Sequence, residues 1–194
     1  MSVNTNVSQE KEPIPGDLAI WFFIMAELLV FGIFFIVYVV VRGNNLELFN
    51  TYQLELHKIA GAINTVALIT SSYFVAMAVH AIRNDQVRKT GHMILLALLM
   101  GCLFLGVKLW EYSHVFGAGI SLSTNTFYTF YISLTFFHFM HVLMGMVILG
   151  AVYVFIRQGK YSASDHTGIE TGGSYWHMVD LVWIVLFPLV YVIR

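Results

Sequence analysis

Charge is what this sequence has least of. Asp, Glu, Lys and Arg together make up 11% of its 194 residues, against roughly a quarter in a soluble domain. With 58% of residues hydrophobic, too little polar surface remains to face water, so the chain is expected to be an integral membrane protein. A net charge of -1 and the lack of any basic run exclude a nucleic-acid partner. The single cysteine, Cys102, cannot form an intrachain disulfide, and its apolar neighbours offer nothing to stabilise a thiolate. There is no HExxH, no second histidine pair within one helix and no cysteine cluster, so the common metal signatures are missing. The opening residues 1–17 end in "PIPGD" and lack the apolar core of a signal peptide; they read as a polar N-terminal tail.

What the sequence does have is long apolar runs. Five are long enough to cross a bilayer, which takes roughly 20 residues as helix: 18–41, 61–82, 92–114, 127–156 and 174–193. The fourth exceeds the need and is expected to tilt or project, and Pro188 is expected to kink the fifth. The connections are polar, none is long enough for a second domain, and no internal repeat is evident. The fold expected is all-α: one membrane bundle of five transmembrane helices over residues 18–194. If the N-terminus is cytoplasmic, that side collects Lys11, Arg83, Arg88, Lys89, Arg157 and Lys160. The other side then receives Arg42, Lys58 and Arg194, with Lys108 near the end of the third span. This bias favours a cytoplasmic N-terminus and a periplasmic C-terminus.

Several polar residues fall well inside the spans, among them Glu27, Asn64, Glu111, His138, His141, His177 and Asp180. Ionisable groups at such depth are functional hypotheses, because they must face a partner, the bundle interior or water. His138 and His141, in "FFHFMHVLMG", share one helix face. A metal could recruit Glu111 or Glu27 beside them; a structural pair bonded to Glu111 or to a lipid headgroup is the simpler reading. Glu27 lies about 15 Å along the first helix, near mid-membrane, where it either relays a proton or stays protonated as a structural group. Lys108 and Glu111, three apart, suit an intrahelical ion pair. His177 and Asp180 also share a face, and an Asp can orient an imidazole as in acid-base sites, but no Ser or Cys nucleophile stands out beside them. Trp176 and Trp183 read as interface or packing residues. Gly32, Gly101, Gly106, Gly145 and Gly150 mark places where helices could approach closely, and Thr65, Thr70, Ser71 and Ser72 suit bonds between helices.

These stretches resemble a known family. "YWHMVDLVWIVLFPLVY" is similar to the closing helix of subunit III of haem-copper respiratory oxidases, with its Trp-His-x-x-Asp-x-x-Trp run. "FFHFMHVLMG" resembles that family's His-x-x-His helix, "WEY" its Glu-Tyr pair, "INTVALITSS" its Asn-Thr helix and "MAELLVFGIFF" its buried-glutamate helix. The matches keep the family's order from about residue 17 to 194. The resemblance implies a cytochrome c oxidase subunit III-like bundle in a bacterial inner membrane, with no catalytic, cofactor-binding or metal-binding residue of its own. Haem and metal are expected in a catalytic subunit I-type partner, and phospholipid is a possible ligand. Glu27 is implied as the proton-related, carbodiimide-reactive glutamate; Asn64, Glu111, His138, His141, His177 and Asp180 are expected as structural or lipid-contact groups. The family's longer members have seven helices, of which this chain lacks the first two. Among five-helix forms it is most similar to the accessory E-type proteins of nitric oxide reductase operons, with quinol oxidase subunits the other five-helix kin. The implied function is accessory: assembly, lipid binding and proton uptake in aerobic electron transport or denitrification. A stand-alone proton-coupled transporter using Glu27, Glu111 and His138 is the alternative, although transporters commonly carry inverted repeats. A metalloenzyme built on the histidine pair is a third.

Overall fold

The computed structural model describes residues 17–193. Apart from Asp17, the polar tail and its Lys11 lie outside these residues, as does Arg194. The chain forms α1 (Leu18–Asn44), α2 (Leu46–Gln53), α3 (Lys58–Arg83), α4 (Val87–Gly117), α5 (Thr126–Arg157) and α6 (Thr167–Phe187), with a π-helical turn at Pro188–Val192. Among the described residues five helices are long and apolar enough to cross a membrane: α1, α3, α4, α5 and α6 with its π turn. The α3, α4 and α6 helices begin several residues earlier than the apolar runs suggest, because polar residues such as Arg88 and Glu170 extend them past the hydrocarbon. At 31 and 32 residues, α4 and α5 reach about 47 Å, well beyond a hydrocarbon core of about 30 Å.

Local chemistry sets the helix ends. Asp17 caps α1, its carboxylate accepting the Ala19 N–H at 3.3 Å, and Asn125 caps α5 by accepting the Tyr128 N–H at 2.9 Å. The stretch expected as a plain connection, "RGNNLELFNTYQLELHK", contains α2. Its Phe49 is fully buried, edge-on to Tyr38 and Phe127, so tertiary packing makes a helix where composition signalled a loop. At Pro188 the expected kink is a change of helix type instead. Proline has no N–H for the preceding turn, the α-helix stops at Phe187, and the widened turn closes with the Ile193 N–H donating to the Pro188 carbonyl at 2.9 Å. The Val190 carbonyl is there satisfied from outside, by Gln53 Nε2 of α2 at 2.9 Å. Gln53→Leu is therefore expected to lower unfolding stability by about 1–2 kcal/mol by orphaning a buried carbonyl, measurable by thermal melting in detergent.

The α3–α4 pair is the most extensive contact in the bundle; α6 packs on α3 and α5, and α4 on α5. The centre is aromatic: Trp176, Trp183 and Phe104 are completely buried, which makes both tryptophans core residues and not interface anchors. Of the five glycines expected at close approaches, two are there. A Cβ on Gly145 would lie 2.8 Å from Trp176 and 3.2 Å from Tyr175, and one on Gly101 3.1 Å from Met146. A Cβ on Gly32, Gly106 or Gly150 would meet nothing within 4 Å among the described residues, so no described helix packs closely there. The first helix, α1, is attached along a single seam, Ile24, Phe31 and Tyr38, spaced seven apart and so on one face. The start of α1, the end of α3 and the start of α6 meet at one end of the bundle, where Asp17 N–H donates to Thr171 Oγ1 at 3.2 Å and Arg83 pairs with Glu170 at 2.7 Å.

Candidate functional site

Three polar clusters are built into this apolar frame. The most buried joins α4 to the π turn. Lys108 and Glu111 form the ion pair their spacing suggests, with Nζ 2.8 Å from Oε2, and both are essentially inaccessible. The π turn brings Tyr191 over them. Its hydroxyl accepts from Lys108 Nζ at 2.7 Å and donates to Glu111 Oε1 at 2.8 Å, closing a three-membered network. The ammonium also lies 5.1–5.7 Å from the ring centres of Tyr112, Tyr131, Tyr191 and Trp183, a cage that offsets its lost hydration. On one side of Glu111 a cavity of about 300 Å³ opens, lined also by Glu55, His57, His114 and Tyr128. Neither Tyr191 nor Tyr131 stands out in the sequence. The only signal is Pro188 three residues before Tyr191, which breaks the α-helical register that would aim Tyr191 elsewhere.

The second cluster joins α1 to α5. His138 and His141 do not act as a pair. His141 Nε2 meets Glu27 Oε2 at 3.0 Å, while its Nδ1 lies 2.8 Å from the Phe137 carbonyl. A carbonyl only accepts, so Nδ1 carries a proton. The contact with Glu27 then contains one shared proton, held by the carboxyl or by Nε2. That is the geometry of a proton-transfer couple, and equally of a structural tie. An apolar groove of about 330 Å³, lined by Met140, His141, Leu143, Met144 and Val147, runs beside it. His138, expected to be bonded to Glu111 or to a headgroup, is instead completely buried among Phe31, Phe104 and Trp183, with no partner among the described residues for either ring nitrogen. Asn64 is likewise buried without a partner for its side-chain amide among the described residues.

The third cluster joins α3 to α6. Among the described residues Asp180 does not orient His177; Ser72 meets the imidazole instead, with Oγ 2.5 Å from His177 Nδ1. Ser72 and Ser71 were recognisable as candidates for bonds between helices, and both make them: Ser71 Oγ donates to the Ala97 carbonyl at 2.9 Å. Thr65 Oγ1 similarly accepts from Trp183 Nε1 at 3.0 Å. Among the described residues, no three His, Cys, Asp or Glu side chains converge as a metal-ligand group.

Comparison with known proteins gives a consistent picture. The family model described as cytochrome c oxidase subunit III matches residues 16–193. Cytochrome c oxidase subunit 3 of Thermostichus vulcanus is 36% identical over 177 residues, 91% of this chain and 86% of that protein. The probable quinol oxidase subunit 3 of Staphylococcus aureus is 27% identical over 197 residues, covering all of this chain and 97% of the relative. The haem-copper oxidase subunit I+III of Aeropyrum pernix is 29% identical over 198 residues; these span 95% of this chain but 24% of that longer protein.

Proposed function

Because the chain belongs to the cytochrome c oxidase subunit III family, we propose that it is a non-catalytic accessory subunit of a haem-copper oxidase complex. The observation that carries this reading is the family match over almost the whole chain. The Aeropyrum pernix relative, whose name joins subunits I and III, supports a subunit I-type partner, which would hold the haem and metal. In this reading α1, α3, α4, α5 and α6 are five spans of a bacterial cytoplasmic membrane. Arg83, Arg88, Lys89, Arg157 and Lys160 flank the same ends of the helices as the start of α1, which supports a cytoplasmic N-terminus. The groove beside His141 offers acyl chains an apolar seat, and Glu27 with its shared proton is the group best built for a part in proton uptake.

The named relatives are cytochrome c and quinol oxidases, which supports an oxygen-reducing partner. The short five-helix length does not by itself single out a nitric oxide reductase association, since the Staphylococcus aureus quinol oxidase subunit is matched over nearly its entire length. Gentle purification of the tagged chain is expected to bring along a haem-bearing subunit. Oxygen uptake by that material would support the oxidase assignment, and nitric oxide reduction would support the other. Stoichiometric haem on this chain alone would overturn the accessory role. Within the complex, Glu27→Gln is expected to leave assembly intact while altering proton uptake during turnover or shortening the working life of the enzyme. Unchanged kinetics and lifetime would reduce Glu27 to a tie between α1 and α5.

A further inference from the structure

Three tyrosines lie in line from the core to a cavity. Tyr191 is completely buried; its ring centre is 6.0 Å from that of Tyr131, and the two hydroxyl oxygens are 3.5 Å apart. Tyr131 in turn lies 6.3 Å from Tyr128, ring centre to ring centre. Packing alone asks only for aromatic rings, and phenylalanine would serve it. Here each end of the line has a carboxylate set on its hydroxyl. Tyr191 donates to Glu111 Oε1 and Tyr128 to Glu55 Oε2, both at 2.8 Å. Glu111, Glu55 and Tyr128 all line the same cavity of about 300 Å³.

We infer that Tyr191, Tyr131 and Tyr128 form a redox-active line that carries an oxidising equivalent out of the core to the cavity beside Glu55. A phenol oxidised inside a protein must shed its proton, because a buried, unpaired cation is costly. The two carboxylates are placed to take that proton. Electrons and protons balance at each step. A one-electron oxidant takes an electron from Tyr191, whose O–H proton passes to Glu111, leaving a neutral phenoxyl radical and a carboxylic acid. An electron and a proton then pass from the Tyr131 hydroxyl to the Tyr191 oxygen. Tyr128 next gives its electron to Tyr131 and its proton to Glu55, while Glu111 returns its proton through the Tyr191 hydroxyl to Tyr131. A small reductant dissolved in water, such as ascorbate, finally gives one electron to Tyr128, and the Glu55 proton returns to its oxygen. The ammonium sets the direction. Lys108 Nζ lies 2.7 Å from the Tyr191 hydroxyl and 2.8 Å from Glu111, so it disfavours both electron loss there and protonation of that carboxylate. Glu55 is exposed and, among the described residues, in no ion pair, so the hole settles on Tyr128. The line rests on the accessory role proposed above only for the source of the oxidant, an oxygen-reducing partner.

The test uses the full chain in lipid nanodiscs, with a ruthenium polypyridyl photosensitiser on Cys102, its only cysteine, which is exposed. After a flash with persulfate as electron acceptor, freeze-quenched electron paramagnetic resonance is expected to show a tyrosyl radical that disappears on mixing with ascorbate. Loss of that ascorbate-sensitive signal in Tyr128→Phe assigns it. Tyr131→Phe keeps the ring but removes the hydroxyl between the two ends; its radical is expected to persist in ascorbate, stranded on the buried Tyr191. Glu55→Gln is expected to slow formation of the ascorbate-sensitive radical about a hundredfold, the low end of what a positioned proton-transfer group contributes. Tyr112 is the control, since the same ammonium lies 5.1 Å from its ring but its hydroxyl donates to Thr135 Oγ1 and not to a carboxylate. Tyr112→Phe is expected to behave as the natural chain. Tyrosines that only pack would move the melting temperature and leave these signals alone. Equal decay in ascorbate for Tyr131→Phe and the natural chain, survival of the signal in Tyr128→Phe, or no tyrosyl radical in the natural chain would overturn the line. Because this chain is tested without a partner, a failure of the line is distinguishable from a failure of the accessory role, which the purification decides.

Discussion

Lys108→Met is expected to destabilise the bundle by about 3–5 kcal/mol, because it leaves the Glu111 carboxylate buried without its counter-charge. The Tyr191 hydroxyl would still donate to Glu111 Oε1, but one neutral donor does not replace an ammonium 2.8 Å away. The double variant Lys108→Met with Glu111→Leu is expected to recover most of that loss. Buried ion pairs often stabilise no more than apolar residues of similar volume, while half a pair is costly. The measurement is unfolding in mixed micelles for both single variants and the double. Additive losses would mean that the two groups act independently and that the network of Lys108, Glu111 and Tyr191 is not a unit.

Gly145→Ala is expected to cost about 1–3 kcal/mol through overpacking. The added methyl would sit 2.8 Å from a carbon of Trp176 and 3.2 Å from one of Tyr175, and both rings are completely buried. The neighbours are rigid aromatic planes in the middle of the core, so the strain must move α5 away from α6. Gly150→Ala, on the same helix with nothing within 4 Å, is the control; it is expected to be neutral or slightly stabilising, as alanine is the better helix former. Equal melting temperatures for the two variants would show that α5 and α6 are not held at the separation described.

The long apolar helices were legible because hydrophobicity alone decides them: "LAIWFFIMAELLVFGIFFIVYVVV" offers nothing but an apolar helix. The partners were not legible, and the reason differs from cluster to cluster. Lys108 and Glu111 are local, three residues apart, so spacing sufficed. Glu27 and His141 are 114 residues apart, and spacing carries no information about which helix lies beside which. The pairing of His138 with His141 misled for a related reason. A shared face on α5 spans a wide arc: three residues advance the helix by about 300°, and the remaining offset of about 60° points one imidazole at Glu27 of α1 and the other into the rings of Phe104 and Trp183. Tyr191 was invisible because its position depends on a π turn, a departure from the periodicity on which helical reading relies. The α2 helix was invisible because its stability comes from one phenylalanine finding Tyr38 and Phe127, not from its own composition.

A helix fastened by one seam behaves differently from its neighbours. Away from Ile24, Phe31 and Tyr38, α1 turns Phe22, Met25, Leu29, Ile36 and Val40 outward. The contact from Glu27 to His141 adds a directional tie. Such an element is the hinge pin of the molecule: detergent wedged along it would loosen the proton-sharing couple before the aromatic core yields. Extraction harsh enough to strip annular lipid should thus part Glu27 from His141 while the protein still melts as a folded species.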